Sequence, residues 1–323
     1  MKRVLLSFLA SAVVLSACQF PGGDEIKVSV ASLNTDRVVN IHESVEDDGD
    51  IAKLGATMAD LGITHTVLHG IPTDLLHYEG QEQISYEGLD ENHAFIVETA
   101  QEDPEHFSFF CAIDPSDLNR LGEVENCLED GGVGVKIYTG YSYAHDRPLD
   151  DPKLLKVYDM LSERGGILML PVNSSNYQEE LESVLSSYPD MNVICPHYCL
   201  SSKDLSRVSG LLDAHPNLYV DTSFGHIEFA TEGFTTISEN NQEFRDFFTT
   251  YQDRILFGTD TVITGYEYKN RDWLGQLYHD YVAILTEESF ESHVAPTLQL
   301  TGLGLSPALQ KKVFWQNWYR LVD

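Results

Sequence analysis

Residues 37–50 read RVVNIHESVEDDGD. Val38, Val39 and Ile41 form a short apolar run that ends in His42 and passes into an acidic loop. Continuous runs of this kind belong to strands buried on both faces, as in parallel sheets. The loop lacks the glycine spacing of a phosphate-binding turn, which argues against an open doubly wound sheet. Seven further runs share the pattern: THTVLHG (64–70), FSFFCAI (107–113), GVGVKIY (132–138), GILMLPVN (166–173), NVICPHY (192–198), NLYVDTS (217–223) and RILFGTD (254–260). Amphipathic stretches lie between them, such as residues 50–62, 91–103, 117–131, 151–165, 177–189 and 202–216, several ending in Gly or His-Pro, which stop helices. Eight strand–helix units predict an α/β chain folded as a single (β/α)8 TIM barrel. The open sheet is the alternative. About 290 residues, from 35 to 323, suit one such domain. A terminal helix is expected over 306–322, and the connection over 224–253 is longer than the others.

Residues 1–17 have a basic start (Lys2, Arg3), an apolar stretch from Val4 to Leu15, and small residues before Cys18. This is the pattern of a secretory signal, too short to span a bilayer. The ending LSAC resembles a bacterial lipobox, which implies lipidation at Cys18 and a polar tether over 18–34. That resemblance, with Gln19 after the cysteine, implies a lipid-anchored protein of the bacterial cell envelope, at the outer membrane facing the periplasm. An ordinary signal peptide is the alternative.

With 51 Asp and Glu against 20 Lys and Arg, the formal charge is −31. Such a surface repels nucleic acid phosphates and gives no attraction to anionic lipid, so the expected partners are a small-molecule substrate and, through the anchor, the membrane. Four cysteines follow the tether: Cys111, Cys127, Cys195 and Cys199. Cys111 and Cys195 lie in strand-like runs, where free buried thiols are common, and mostly free cysteines are expected. A bridge from Cys199 to Cys195 or another partner stays open.

Barrel active sites form where strands end. Strand one delivers His42, strand two His69, strand four Lys136, strand five Asn173, strand six His197, strand seven Asp221 and Ser223 with His226 just beyond, and strand eight Asp260. Residues two apart share a face, so positions 42 and 44 point together toward the axis. Gly134 and Gly258 leave room beside Lys136 and Asp260. A lone strand histidine is more often a hydrogen-bonded core residue; convergence at one mouth is what raises His42, Lys136, His197 and Asp260 above that reading. His77, His93, His106, His145, His215, His279 and His293 read as surface residues. The aromatic loops 139–148 and 264–273 either line a pocket or pack the rim.

VNIHES, GVGVKIY, ILMLPVN, NVICPHYC, NLYVDTS, RILFGTDT and VFWQNWYRL, in this order, resemble the amidohydrolase-related family of metal-dependent TIM-barrel hydrolases. The branch includes decarboxylase-like and lactonase-like members. The resemblance implies a divalent metal, zinc foremost, on His42, His197 and Asp260. It makes Asp260 the proton-shuttling base and has His197 orient substrate. Lys136 stands at a position that is a carbamylated, metal-bridging lysine in some relatives. Ser44 replaces the second histidine of a His-x-His pair, and Asn173 stands where a strand-five histidine is expected. Both are poor zinc ligands beside imidazole, so the expected site is depleted and holds metal weakly or not at all. His69 and His226 are candidate replacements and, with Asn173, candidate substrate contacts. Three readings follow: a metal-dependent hydrolase of a small organic acid, lactone or amide, with decarboxylation or lactonase activity as variants; a metal-independent enzyme using Asp260, His197 and Lys136; and an inactive membrane-anchored barrel that binds a small ligand or a protein.

Overall fold

The computed structural model describes residues 35–78, 83–117, 119–294 and 299–323. The signal segment, Cys18 and the whole tether lie outside the described residues. The element order is β1 (Val39–Glu43), α1 (Asp48–Leu61), β2 (His65–His69), α2 (Thr73–Leu76), α3 (Leu89–Glu102), β3 (Phe107–Ile113), α4 (Arg120–Glu129), β4 (Val135–Ile137), α5 (Pro152–Glu163), β5 (Ile167–Met169), α6 (Ser174–Ser187) and β6 (Asn192–Cys195). Then come a short turn α7 (Pro196–Leu200), α8 (Leu205–Ala214), β7 (Leu218–Asp221), α9 (Ile227–Glu239), α10 (Asn241–Thr250), β8 (Ile255–Leu256) and α11 (Arg271–Thr286). A small antiparallel pair, β9 (Phe290–Glu291) and β10 (Gln299–Leu300), precedes α12 (Pro307–Lys311), a π-helical turn (Lys312–Gln316) and α13 (Asn317–Val322). Among the described residues no helix is long and apolar enough to cross a membrane.

The strands pair in parallel in the order β1 to β8. The ring is drawn together where Ile41 N–H donates to Phe257 O at 2.9 Å and Asp260 N–H to His42 O at 2.7 Å. All eight expected strands are present, and the fold is the (β/α)8 barrel. The long connection between β7 and β8 holds two helices, α9 and α10, that meet at Asn240.

Side chains alternate along each strand and so divide the apolar residues into two cores. Those pointing outward pack against the helices: Leu68, Val135, Ile137 and Val193 join Leu54, Leu154 and Leu181. Those pointing inward (Val39, Ile41, Val67, Phe110, Met169, Ile194 and Leu256) fill the barrel. Trp318 from α13 plugs its lower end, with its ring 6.0 Å from that of Phe110. The inward layer above this plug is polar, and there the site forms.

The cysteine expectation is corrected. Cys111 is bonded to Cys127, joining β3 to α4, and Cys195 to Cys199 across α7. The Cys195–Cys199 bridge is the one the sequence left open, and the Cys111–Cys127 bridge was not expected.

Candidate active site

Strand β1 carries a bulge. Asn40 pairs with Thr66 but Glu43 with Leu68, so three steps on β1 match two on β2. Without it, strict alternation from Val39 and Ile41 would turn His42 outward. With the bulge, Ile41 and His42 both face inward, and Glu43 turns out to the β8 loop. There its buried carboxylate accepts from Tyr278 OH, from Thr259 Oγ1 at 2.7 Å, and from Ser44 and Val262 N–H. Burial pushes the Glu43 carboxyl up, and these donors pull it back. This lock fixes the end of β1 against the strand that carries Asp260.

At the mouth His42 Nδ1 lies 2.7 Å from Asp221 Oδ2. Burial pulls the imidazole down to about 3, with Lys136 adding to the effect, so it is neutral; its one ring proton faces Asp221 and Nε2 presents its electron pair to Lys136. His69, at the end of β2, is wired alike. Its Nδ1 lies 3.0 Å from Tyr138 OH, whose own proton goes to Gly70 O at 2.8 Å, and 3.0 Å from Ser44 Oγ. Burial and Lys136 hold His69 well below the usual range, and its Nε2 faces Lys136. Between the two Nε2 atoms sits Lys136 Nζ, at 2.8 Å from His42 and 2.9 Å from His69. The lysine therefore donates to both imidazoles. Burial pulls the ammonium below its ordinary value, against the carboxylates of Asp260, Asp221 and Glu43.

Asp260 completes the group. Its Oδ1 lies 3.4 Å from His42 Nε2 and 3.9 Å from His69 Nε2. Burial pushes this carboxyl up, and Lys136 opposes the shift. Its backbone is left-handed, φ 48°, a conformation that costs a non-glycine residue on the order of 1 kcal/mol and is held here by the bond to His42 O.

His197 stands on the other side of Asp260, 3.4 Å from Oδ2. Its Nδ1 contacts Ser223 Oγ at 2.8 Å and its Nε2 contacts Tyr141 OH at 2.9 Å. Ser223 Oγ donates to Asp221 Oδ1 at 2.5 Å, which makes Nδ1 the protonated nitrogen. Residues 197–200 all adopt left-handed backbone, with φ between 52° and 57°. That turn swings His197 over the mouth, and the Cys195–Cys199 bond spans it. Asp221 orients both histidines: besides His42 Nδ1 it accepts the His197 and Ser223 backbone N–H groups at 2.8 and 3.0 Å. Its carboxyl lies below the ordinary range, because contacts with His42, His197 and Ser223 outweigh the opposing effect of burial.

His42, His69 and Asp260 each present a ligand atom within 4.8 Å of the others. Around an ion about 2.1 Å from each donor, tetrahedral ligands stand roughly 3.4 Å apart. The donor chemistry, two neutral imidazoles and a carboxylate, fits a divalent metal, and the Lys136 ammonium lies between the imidazoles, where an ion would have to displace it. His197 lies beside this group and outside it. Asn173 caps α6, accepting from Ser175 N–H at 3.1 Å, and lines the cavity above the site. His226 lines the same cavity, 5.6 Å ring to ring from Tyr78. Sequence reading named Asp221, Ser223 and His69 at the mouth but missed how they act: Ser44, in place of a ligand, supports the neighbouring strand's histidine. Of the two aromatic loops, residues 139–148 line the cavity with Tyr141 and Tyr143, while Tyr266 and Tyr268 stack at the exposed rim.

The family model described as Amidohydrolase matches residues 53–323, so the chain belongs to the amidohydrolase family. No curated protein matches it. Solved structures share the fold at low identity. A probable 2-pyrone-4,6-dicarboxylic acid hydrolase from Acinetobacter baumannii is 12% identical, with a TM-score of 0.59, covering 88% of this chain and 98% of that one. An uncharacterised TIM-barrel protein from Bordetella bronchiseptica is 15% identical, with a TM-score of 0.58 and the same coverage. An amidohydrolase from Burkholderia multivorans with bound zinc is 13% identical, with a TM-score of 0.57, again at 88% and 98%.

Proposed function

We propose that this protein is a metal-dependent hydrolase of a small ester, lactone or amide, with the ion held by His42, His69 and Asp260. One observation carries the reading: both imidazoles are turned by partners on Nδ1 so that Nε2 faces a shared point beside a carboxylate. That is how metal-ligating histidines are wired. The Zn-bearing relative supports the choice of zinc.

When bound, a divalent ion supplies Lewis-acid charge for the carbonyl oxygen and the attacking water. The chain's own groups do the rest. Asp260, whose carboxyl is pushed up by burial, takes a proton from water and returns it to the leaving group. The acyl carbon gains the hydroxyl, and its bond to oxygen or nitrogen breaks. Tyr141 OH gives its proton to His197 Nε2, and the two side chains hold each other beside Asp260 at the edge of the substrate space.

The place of Lys136 favours a second reading, in which the ammonium itself is the electrophile and no metal takes part. Elemental analysis of the protein lacking residues 1–18 separates them, with His42→Ala, His69→Ala and Asp260→Ala beside it. Near-stoichiometric zinc that disappears in all three variants supports the first reading. Absence of metal after supplementation, with ester turnover that resists chelators and disappears in Lys136→Met, supports the second. Neither metal nor turnover leaves the binding barrel. We further propose, from residues 1–18, lipid anchoring at Cys18 in the cell envelope; fatty-acid labelling that persists in Cys18→Ser would refute it.

A further inference from the structure

Above the catalytic groups lies a cavity of about 370 Å³. Its floor is Lys136, His197 and Asp260. Its walls are apolar and aromatic, among them Leu75, Tyr143, Phe224, Phe229 and Val262. No arginine lines it among the described residues. Besides Lys136 its one cation among the described residues is Lys203, at the exposed rim, where Glu232 lies 2.5 Å from the ammonium. Lys136 is engaged by two histidines at the far end. His226, on the wall, is pushed down by burial and by Lys269, so it offers a neutral ring.

Carboxylates are recognised by free cations and forked guanidinium groups. A dicarboxylate entering this cavity would lose water, meet Asp260 and Glu232, and find no unpaired cation on the walls. Burying a charge without a partner is strongly unfavourable, and the field of a chain with formal charge −31 adds to the repulsion. An aromatic or branched aliphatic body meets the opposite conditions: it gains burial against Phe224, Phe229 and Leu75, and ring stacking with Tyr143.

We propose that this pocket takes neutral substrates with an aromatic or branched hydrophobic body and rejects dicarboxylates, unlike the pyrone dicarboxylates named for a structural relative. The assignment rests on the hydrolase reading only for the reaction; binding tests it separately. Phe229 is 54% exposed at the rim and can be changed without touching the core.

The experiment is calorimetric titration of the mature protein with 1-naphthaleneacetamide and with isophthalate, repeated on Phe229→Ala and Phe229→Arg. The neutral amide should bind at least roughly tenfold more tightly than the diacid. Phe229→Ala should weaken the amide by roughly threefold to tenfold, and Phe229→Arg should narrow the gap by admitting the diacid. Isophthalate binding as tightly as the amide, or amide binding indifferent to Phe229→Ala, would overturn the assignment. Amide binding without turnover of naphthyl esters would support it while removing the hydrolase reading. Efficient hydrolysis of a dicarboxylate lactone would do the reverse.

Discussion

Asp221→Asn tests the wiring of the site. Asp221 is fully buried and accepts hydrogen bonds from His42 Nδ1 at 2.7 Å, His197 N–H at 2.8 Å, Ser223 N–H at 3.0 Å and Ser223 Oγ at 2.5 Å. Asparagine keeps the shape and one acceptor oxygen. Three of the four donors converge on Oδ1, so the amide oxygen belongs there and the NH2 faces His42. The imidazole must then accept on Nδ1 and move its proton to Nε2. That tautomer has no electron pair for an ion and cannot accept from Lys136. Restoring the ligating tautomer costs the His42 bond and leaves an amide facing an N–H. Loss of such an orienting carboxylate weakens metal affinity by roughly 10- to 100-fold, about 1.4 to 2.8 kcal/mol. Chelator competition with zinc measures it, and thermal unfolding checks that the barrel persists. Zinc affinity within about twofold of wild type would refute the orienting role, since two-fold corresponds to only ~0.4 kcal/mol.

Four further outcomes are expected. His69→Ala should abolish stoichiometric zinc, and Ser44→His added to it should restore part, because position 44 lies on the same inward face 3.0 Å from the lost ring; metal analysis of both variants decides. Lys136→Met removes a cation that competes for the shared point, so zinc affinity should rise by roughly tenfold or more; a fall would instead mark Lys136 as a ligand. Gly258→Ala should cost roughly 1 to 3 kcal/mol, because a Cβ there would stand 3.0 Å from His42 Cβ and 3.1 Å from Asp221 Oδ2; denaturant unfolding measures it. Asp280 is held below its ordinary value near 3.8: burial opposes, but bonds from His279, Ser292 and His293 outweigh it. A lowered folded pKa gives stability that is present above the ordinary value and lost as pH falls through the folded one, so Asp280→Asn should be less stable at neutral pH and flatten the loss below pH ~4, read by unfolding across that range.

The barrel was legible because each strand is a short apolar run with a polar end, and eight such runs leave few other folds. Lys136 and Asp260 were legible because each is a polar residue carried by an apolar run, within it for Lys136 and at its end for Asp260. What stayed hidden depends on register. Alternation counted from Val39 would turn His42 outward, and only the β1 bulge turns it in. The two helices between β7 and β8 were read as one long connection because no Gly or Pro separates them; the break falls at Asn240. Phe244, Phe247 and Phe248 form the buried stripe of α10 at helical spacing, a signal that was available. His279 and His293, read as surface residues, flank the buried Asp280, a pairing made across a loop that returns to α11.

The substitution that suggested a depleted site has a different physical meaning in three dimensions. A His-x-His pair places both imidazoles on one strand, whose geometry alone sets their spacing. Here one candidate donor, His42, comes from β1 and the other, His69, from β2, so the spacing depends on how the two strands pair. Three features hold that pairing at the mouth: the bulge, the Glu43 lock to the β8 loop, and the Ser44–His69 contact. A serine at position 44 is small enough to leave room for the His69 ring and polar enough to bond its Nδ1. A second histidine there would compete for the same space. The loss at position 44 and the histidine at position 69 are therefore one arrangement, in which the donor moves one strand along the ring. Asn173 differs: it caps α6 through Ser175, and among the described residues no imidazole takes over the place on strand five. The group converging on Lys136 thus has three metal-capable donors, the number a catalytic zinc needs if one position is to stay open to substrate.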